Sequence, residues 1–246
     1  MALDDVKLEP RRLADPADGL PTEVWFEPVA ESPLHLAVLL YLVAALRWHL
    51  RDRDDACVEG NIALQFDRDD LRRHVAPDVL VALGVAKVRP GKSYALWVEG
   101  KAPDLVFEVT SESTHREDTG PKLQRYFELG VREVVLFDPE DTYLSPPLRL
   151  YRRGSAGFER VPGDGERASL ETLELDVVRL GQEVRLLDRR SGELLRSAAE
   201  ESQAREDAEL ARESAEQARA NAEQARANAE RRVAELEAEL RRLRGE

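Results

Sequence analysis

The stretch APDLVFEVTSESTHREDTGPKLQRYFELGVREVVLFDP, residues 102–139, decides the fold. Its first part, DLVFEVT (104–110), is nearly continuous in apolar residues, the pattern of a central strand covered on both faces. EDTGPKLQRYFELG then reads as a helix that ends at Gly130, the residue type favoured just past a helix C-terminus. REVVLFDP is a second buried strand, stopped by Asp138 and Pro139. Strand, helix and strand in so short a span make a βαβ-like crossover between parallel strands. The same stretch poses a chemical question, because Glu108 lies inside the first strand. Burying an unpaired carboxylate costs on the order of several kcal/mol, so a core strand seldom carries one without a reason.

Upstream, CVEGNIALQF (57–66) and VAPDVLVALGV (75–85) have the composition of strands separated by the polar turn DRDDLRRH. RPGKSYALWVEGKAP is a loop or hairpin punctuated by Pro and Gly. PLHLAVLLYLVAALRWHLRDRDD is a buried helix with Pro33 near its start and apolar residues on most faces. Residues 1–32, rich in Pro, Asp and Glu, form an irregular lead-in. Downstream, LRLYRR, GFERV and EVRLLD supply short β segments at the sheet margin. The fold class is therefore α/β, with a mixed β-sheet core flanked by helices over residues 33–195.

The remainder, residues 196–246, changes character: it has no Pro, and its only Gly from Ala198 on is the penultimate residue. EQARANA occurs twice in tandem, at 216–222 and 223–229. Small apolar residues recur with alternating steps of three and four at Ala208, Ala211, Ala215, Ala218, Ala222, Ala225 and Ala229. The spacing slips once to Val233, and Leu236, Leu240 and Leu243 complete the seam. Such a period is the mark of a coiled coil, and the slip is a stutter. The expectation is homo-oligomerisation through residues 204–243; a solvated single helix held by Glu/Arg pairs is the alternative.

The chain has 246 residues and a net charge of −13, so as a whole it does not attract DNA by electrostatics. That weighs against a simple nucleic-acid-binding module and less against an enzyme whose metal ions neutralise phosphate locally. A single cysteine, Cys57, excludes an internal disulfide and a cysteine-based zinc site. The apolar run Leu36 to Leu46 is about half the ~20 residues a membrane span needs. The N-terminus lacks the apolar stretch of a secretory signal, and the expected location is cytoplasmic.

Three positions carry the candidate chemistry. Asp78, in APDV early in one strand, and Glu108, inside another, converge if those strands are adjacent. Carboxylates so placed suit Mg²⁺ (or Mn²⁺), which takes hard oxygen ligands, and Lys122 supplies a cation near a scissile phosphate. Asp104 is four residues from Glu108, about 13 Å along a strand, too far to share one metal readily; it reads as a strand-start residue bonding local backbone. Gln65 and Glu59 either approach the metal or take solvated or edge positions. Ser111, Ser113 and Thr114 contact phosphate or cap the loop. Tyr126, one turn past Lys122, orients it or packs on the sheet. His35, His49, His74 and His115 show no metal-ligand spacing, and of these His35 is the candidate for the site. Arg116 meets a phosphate or is a solvated loop residue.

The segment 103–139, with PDV some way upstream of the glutamate motif, resembles the Uma-two family of restriction-endonuclease-type proteins within the PD-(D/E)XK nuclease superfamily. The resemblance covers roughly residues 20 to 195. It implies a restriction-endonuclease-like core, metal-dependent hydrolysis of DNA phosphodiester bonds, and metal-ligand roles for Asp78 and Glu108. The superfamily pattern would place a lysine two residues after Glu108, where this chain has Thr110. The resemblance implies that the lysine has moved to Lys122 on the following helix; the plainer alternative for Lys122 is a surface pair with Asp118, one turn earlier. A rival from another class is a catalytically inactive nuclease-fold scaffold that assembles through its tail.

Overall fold

A computed structural model describes residues 32–87 and 91–244 of the chain. The chain divides into two compact units at Ser197/Ala198, each described by itself. The first begins with helix α1 (Pro33–His49) and strands β1 (Ala56–Gly60), β2 (Ala63–Gln65), β3 (His74–Val75), β4 (Val79–Leu83) and β5 (Ser93–Ala95). A short helix α2 (Leu96–Glu99) leads into β6 (Leu105–Val109). Helices α3 (His115–Asp118) and α4 (Pro121–Leu129) then carry the chain to β7 (Glu133–Phe137). Strands β8 (Leu148–Arg153), β9 (Phe158–Arg160), β10 (Arg167–Ser169), β11 (Leu175–Leu180) and β12 (Glu183–Asp188) complete this unit. The second unit is one helix, α5 (Ala198–Arg244).

The main sheet has six strands in the order β1-β4-β6-β7-β8-β9. β6 and β7 are parallel neighbours at its centre, joined by the α3–α4 crossover, and every residue of both is buried. On the other side of β6 lies β4, antiparallel, with Val79 opposite Phe107. That register sets Asp78, the residue before Val79, level with Glu108. Two small sheets flank the main one, β10-β11-β12 and β3-β2-β5.

Side chains alternate across a strand, and here the alternation divides the core in two. Leu105, Phe107 and Val109 join Val135, Phe137 and the α1 residues Val38, Leu42 and Leu46. Val106 faces the other way, with Val134, Leu136, Val131 and Tyr126 of α4. Each fully buried side chain of this kind stabilises the fold by about 1.5–3 kcal/mol, so the central strands are its firmest part. Glu108 shares the α4 side with Val106. That places a carboxylate in an apolar layer.

Several local expectations are corrected. CVEGNIALQF is two strands, because Asn61 turns the chain with φ 49° and its N–H donates to the Asp78 carbonyl at 2.8 Å. Gly60 precedes that turn under α1, where an added Cβ would stand 2.6 Å from Val43 Cγ2. VAPDVLVALGV holds a strand only over Val79–Leu83, since Val75 belongs to a different sheet. RPGKSYALWVEGKAP contains β5, which pairs parallel to β2, and then α2; its residues 89 and 90 lie outside the described residues. EDTGPKLQRYFELG is two helices, not one. Gly120 takes non-helical angles before Pro121, which disfavours helical geometry in its predecessor and restarts the helix at its own fixed φ. Helix α1 is buried on one face only, and Leu40 on the other is 58% exposed. The lead-in lies outside the described residues except Ser32, whose Oγ caps α1 by accepting from His35 N at 3.1 Å. Among the described residues no helix is long and apolar enough to cross a membrane.

Candidate active site

Glu108 is the fourth residue of β6 and is 1% exposed. Its two carboxylate oxygens are held from helix α4. Lys122 Nζ donates to Oε2 at 2.9 Å, and the Tyr126 hydroxyl donates to Oε1. The lysine and the tyrosine lie four residues apart, one turn, so both reach the strand from the same helical face. Pro121 sets the start of that helix and thereby the height at which Lys122 meets the sheet.

Lys122 has a second anionic partner, Asp118, whose Oδ1 is 3.0 Å from Nζ. This is no surface pair: Asp118 is 0% exposed at the end of α3. The break at Gly120 separates the two residues into different helices, and the ammonium lies between Asp118 and Glu108. Neither Asp118 oxygen accepts a well-formed hydrogen bond. Thr110 stands on the same strand face as Glu108, and its buried Oγ1 has no hydrogen-bond partner. Where a strand-borne lysine would stand, there is a small hydroxyl, and the cation arrives from α4.

Asp78 connects the cluster to the opposite side of the sheet. Its Oδ2 accepts from Val109 N at 2.6 Å, the peptide immediately after Glu108. Its Oδ1 is 3.1 Å from Nε2 of His35, which is buried in the first turn of α1. The two contacts fix the carboxylate plane.

The electrostatics follow from three carboxylates gathered around one lysine. Burial pushes Glu108 up to about 8; Lys122 opposes the shift, while the charges of Asp78 and Asp118 reinforce it. Burial raises Asp118 as well. For Lys122, burial favours the neutral amine, but the charges of Glu108, Asp118 and Asp78 outweigh it and hold the ammonium above its ordinary value. Tyr126 is raised well above the usual phenol range, first by burial and then by Glu108, so it stays a donor. The cluster thus sets three carboxylates around one ammonium, and Glu108 keeps its proton to a higher pH than an ordinary glutamate.

Three other buried carboxylates, Asp138, Glu133 and Asp104, are satisfied structurally. Asp138 accepts the N–H groups of Glu140, Thr142, Tyr143 and Leu144, which shapes the loop after β7. Glu133 accepts from Glu171 N, from Thr172 N and Oγ1, and from Arg152. Asp104 accepts from Leu83 N at 2.7 Å and Lys101 Nζ at 2.8 Å, tying the start of β6 to its neighbour. Gln65 is buried with Ser93 Oγ 3.2 Å from its Oε1, and Glu59 pairs with Arg47. Ser111, Ser113 and Thr114 close on one another and on Ser111 N, a loop-forming arrangement. His74 and His115 bond nearby carbonyls, and Arg116 is exposed.

The Uma2 family model, described as "Putative restriction endonuclease", matches residues 21–185, about two thirds of the chain. The chain belongs to the Uma2 family. The Uma2 match spans β4, β6 and α4, and with them Asp78, Glu108, Asp118, Lys122 and Tyr126. Among solved structures, one match is the crystal structure of a putative nuclease belonging to DUF820 from Anabaena variabilis ATCC 29413. It is 14% identical, with a TM-score of 0.44, and the alignment covers 58% of this chain and 75% of that one. No curated protein matches the chain.

The donor set of this Uma2 chain fits a hard divalent cation, because its anionic donors are the carboxylate oxygens of Asp78, Glu108 and Asp118, and those of Asp118 accept no well-formed hydrogen bond beside the ion pair with Lys122. Among the described residues no three His, Cys, Asp or Glu side chains already stand as a metal-ligand group. The ammonium of Lys122 instead lies between two of the carboxylates. Sequence reasoning missed Asp118 as a buried member of the cluster. The Gly120–Pro121 pair was the available signal, since it breaks the helix that would have kept Asp118 on the surface.

Proposed function

We propose that the chain is a Mg²⁺- or Mn²⁺-dependent endonuclease acting on DNA. Asp78 and Glu108 hold the metal, and Lys122 serves as the cation of the site. What carries this proposal is the buried contact of Lys122 with Glu108, with Asp78 bonded to the next peptide. Family membership supports it.

When bound, a divalent cation supplies a polarised water and neutralises charge on the phosphate. The residues of the chain do the rest. Asp78 is oriented by Val109 N–H and His35, and Glu108 by Tyr126. Asp118 keeps the Lys122 ammonium at the cluster, where it can donate to an attacking water or a phosphate oxygen. In this proposal the tail joins copies of the chain through residues 204–243, suiting an enzyme that cuts two strands.

The test is cleavage of supercoiled plasmid and of single-stranded DNA by the full chain, with Mg²⁺, with Mn²⁺ and with chelator. Nicking or cutting that the chelator stops supports the proposal. A folded chain that leaves both substrates intact with either metal moves the choice to the scaffold alternative.

A further inference from the structure

Helix α5 leaves large apolar residues of its C-terminal part in water: Val233 is 55% exposed, Leu236 45% and Leu240 52%. Written as heptads, the seam has Ala208, Ala215, Ala222 and Ala229 at position a, and Ala211, Ala218 and Ala225 at d. Ala229 hands over to a second frame, with Val233 and Leu240 at a and Leu236 and Leu243 at d. We propose that α5 of a second copy of the chain covers this seam, parallel and in register, forming a two-stranded coil.

The flanking charges select that orientation. In a parallel pair each g residue faces the e residue five positions later on the other strand. Here that sets Asp207 against Arg212 of the second copy, Arg232 against Glu237 and Glu239 against Arg244. The intervening g residues, Ser214 and Asn221, meet Arg219 and Arg226, so no like charges oppose each other. Reversing one strand with full overlap changes this. Arg219 then faces Arg226, Arg205 faces Arg244 and Asp207 faces Glu239, against one gain, Arg212 with Glu237, each contact occurring twice by symmetry. Reversal also sets the Val/Leu end against alanines, which bury little. Parallel pairing stacks the large residues on their own copies. Val233 at a followed by Leu236 at d favours two strands over three.

A parallel pair starts both tails at one end, so the two preceding domains are tethered there whatever their chemistry. This inference does not depend on the nuclease proposal, and it is tested without DNA or metal. The full chain should sediment as a dimer, twice the 27.7 kDa chain. Leu240→Cys and Ala208→Cys, each alone, should form disulfide-linked dimers on mild oxidation, while the natural chain, whose Cys57 is buried, should not. Leu236→Asp with Leu240→Asp should leave monomers whose near-ultraviolet circular dichroism is unchanged. A monomeric or trimeric natural chain overturns the proposal. So does cross-linking only when the Ala208→Cys and Leu240→Cys chains are mixed, the signature of antiparallel pairing.

Discussion

Lys122 Nζ lies 2.9 Å from Glu108 Oε2, though the two residues are 14 positions apart and on different elements. The parallel crossover makes this so: β6 carries the glutamate, and α4 folds back over the same face. A lysine two residues after Glu108 would share that face, at the place of Thr110. The helix thus supplies from above what the strand does not supply from within the sheet.

Replacing Lys122 by Met keeps the stem and removes the charge. The expected loss in DNA cleavage is about 100-fold or more, the usual cost of removing a donor aimed at developing charge. The variant should also lose more stability at pH 8 than at pH 5, because at lower pH the stranded carboxylates are protonated. Urea unfolding at the two pH values checks the second part; equal losses would mean that the carboxylates do not depend on the lysine.

Asp118→Asn removes a buried charge whose oxygens lack well-formed hydrogen bonds. Stability should hold or rise, because burial disfavours the Asp118 charge by more than its pairing with Lys122 offsets. Cleavage should fall by about 10-fold or more, since Lys122 loses one of its two anionic partners. Denaturant melts beside kinetic assays decide the matter. A variant that is less stable and fully active would make Asp118 a structural residue.

The pH dependence of the metal-free chain has a definite sign. Glu108 is raised from an ordinary 4.5 to about 8, so between those values the folded state binds more protons than the unfolded one. Stability therefore falls as pH rises through this window, by an amount on the order of a few kcal/mol. His49, lowered by burial, contributes the opposite slope below its ordinary 6.5. The difference between the natural chain and Glu108→Gln isolates the glutamate. That difference should change across the window, and a flat difference would contradict the raised value.

His35 reaches Asp78 from the far side of the sheet. Partners that orient a ligand typically contribute about 10–100-fold in metal affinity. His35→Ala should weaken Mn²⁺ binding by that factor in titration calorimetry while leaving the β-sheet circular dichroism intact. Unchanged affinity would reduce the contact to packing.

The central strands were legible because their apolar runs carry no competing signal, and Glu108 was conspicuous within one of them. The positions of Asp78 and Lys122 could be named, but that they come together with Glu108 depends on the β4–β6 register and on the angle of α4, which no single segment encodes. Asp118 was misplaced because a helix drawn through Gly120 and Pro121 puts it on the surface, one turn before Lys122. The split of residues 57–66 rests on left-handed Asn61, which an apolar count passes over. The tail reads as a helix from its period alone; its pairing is a property of more than one chain.

The most direct measurement compares plasmid nicking by the natural chain, Glu108→Gln and Lys122→Ala, each shown to be folded, in Mg²⁺ and in Mn²⁺. Metal-dependent nicking by the natural chain, abolished in both variants, is the predicted result. Nicking that survives in Glu108→Gln, or no nicking by the folded natural chain, would contradict the assignment of this cluster as the active site.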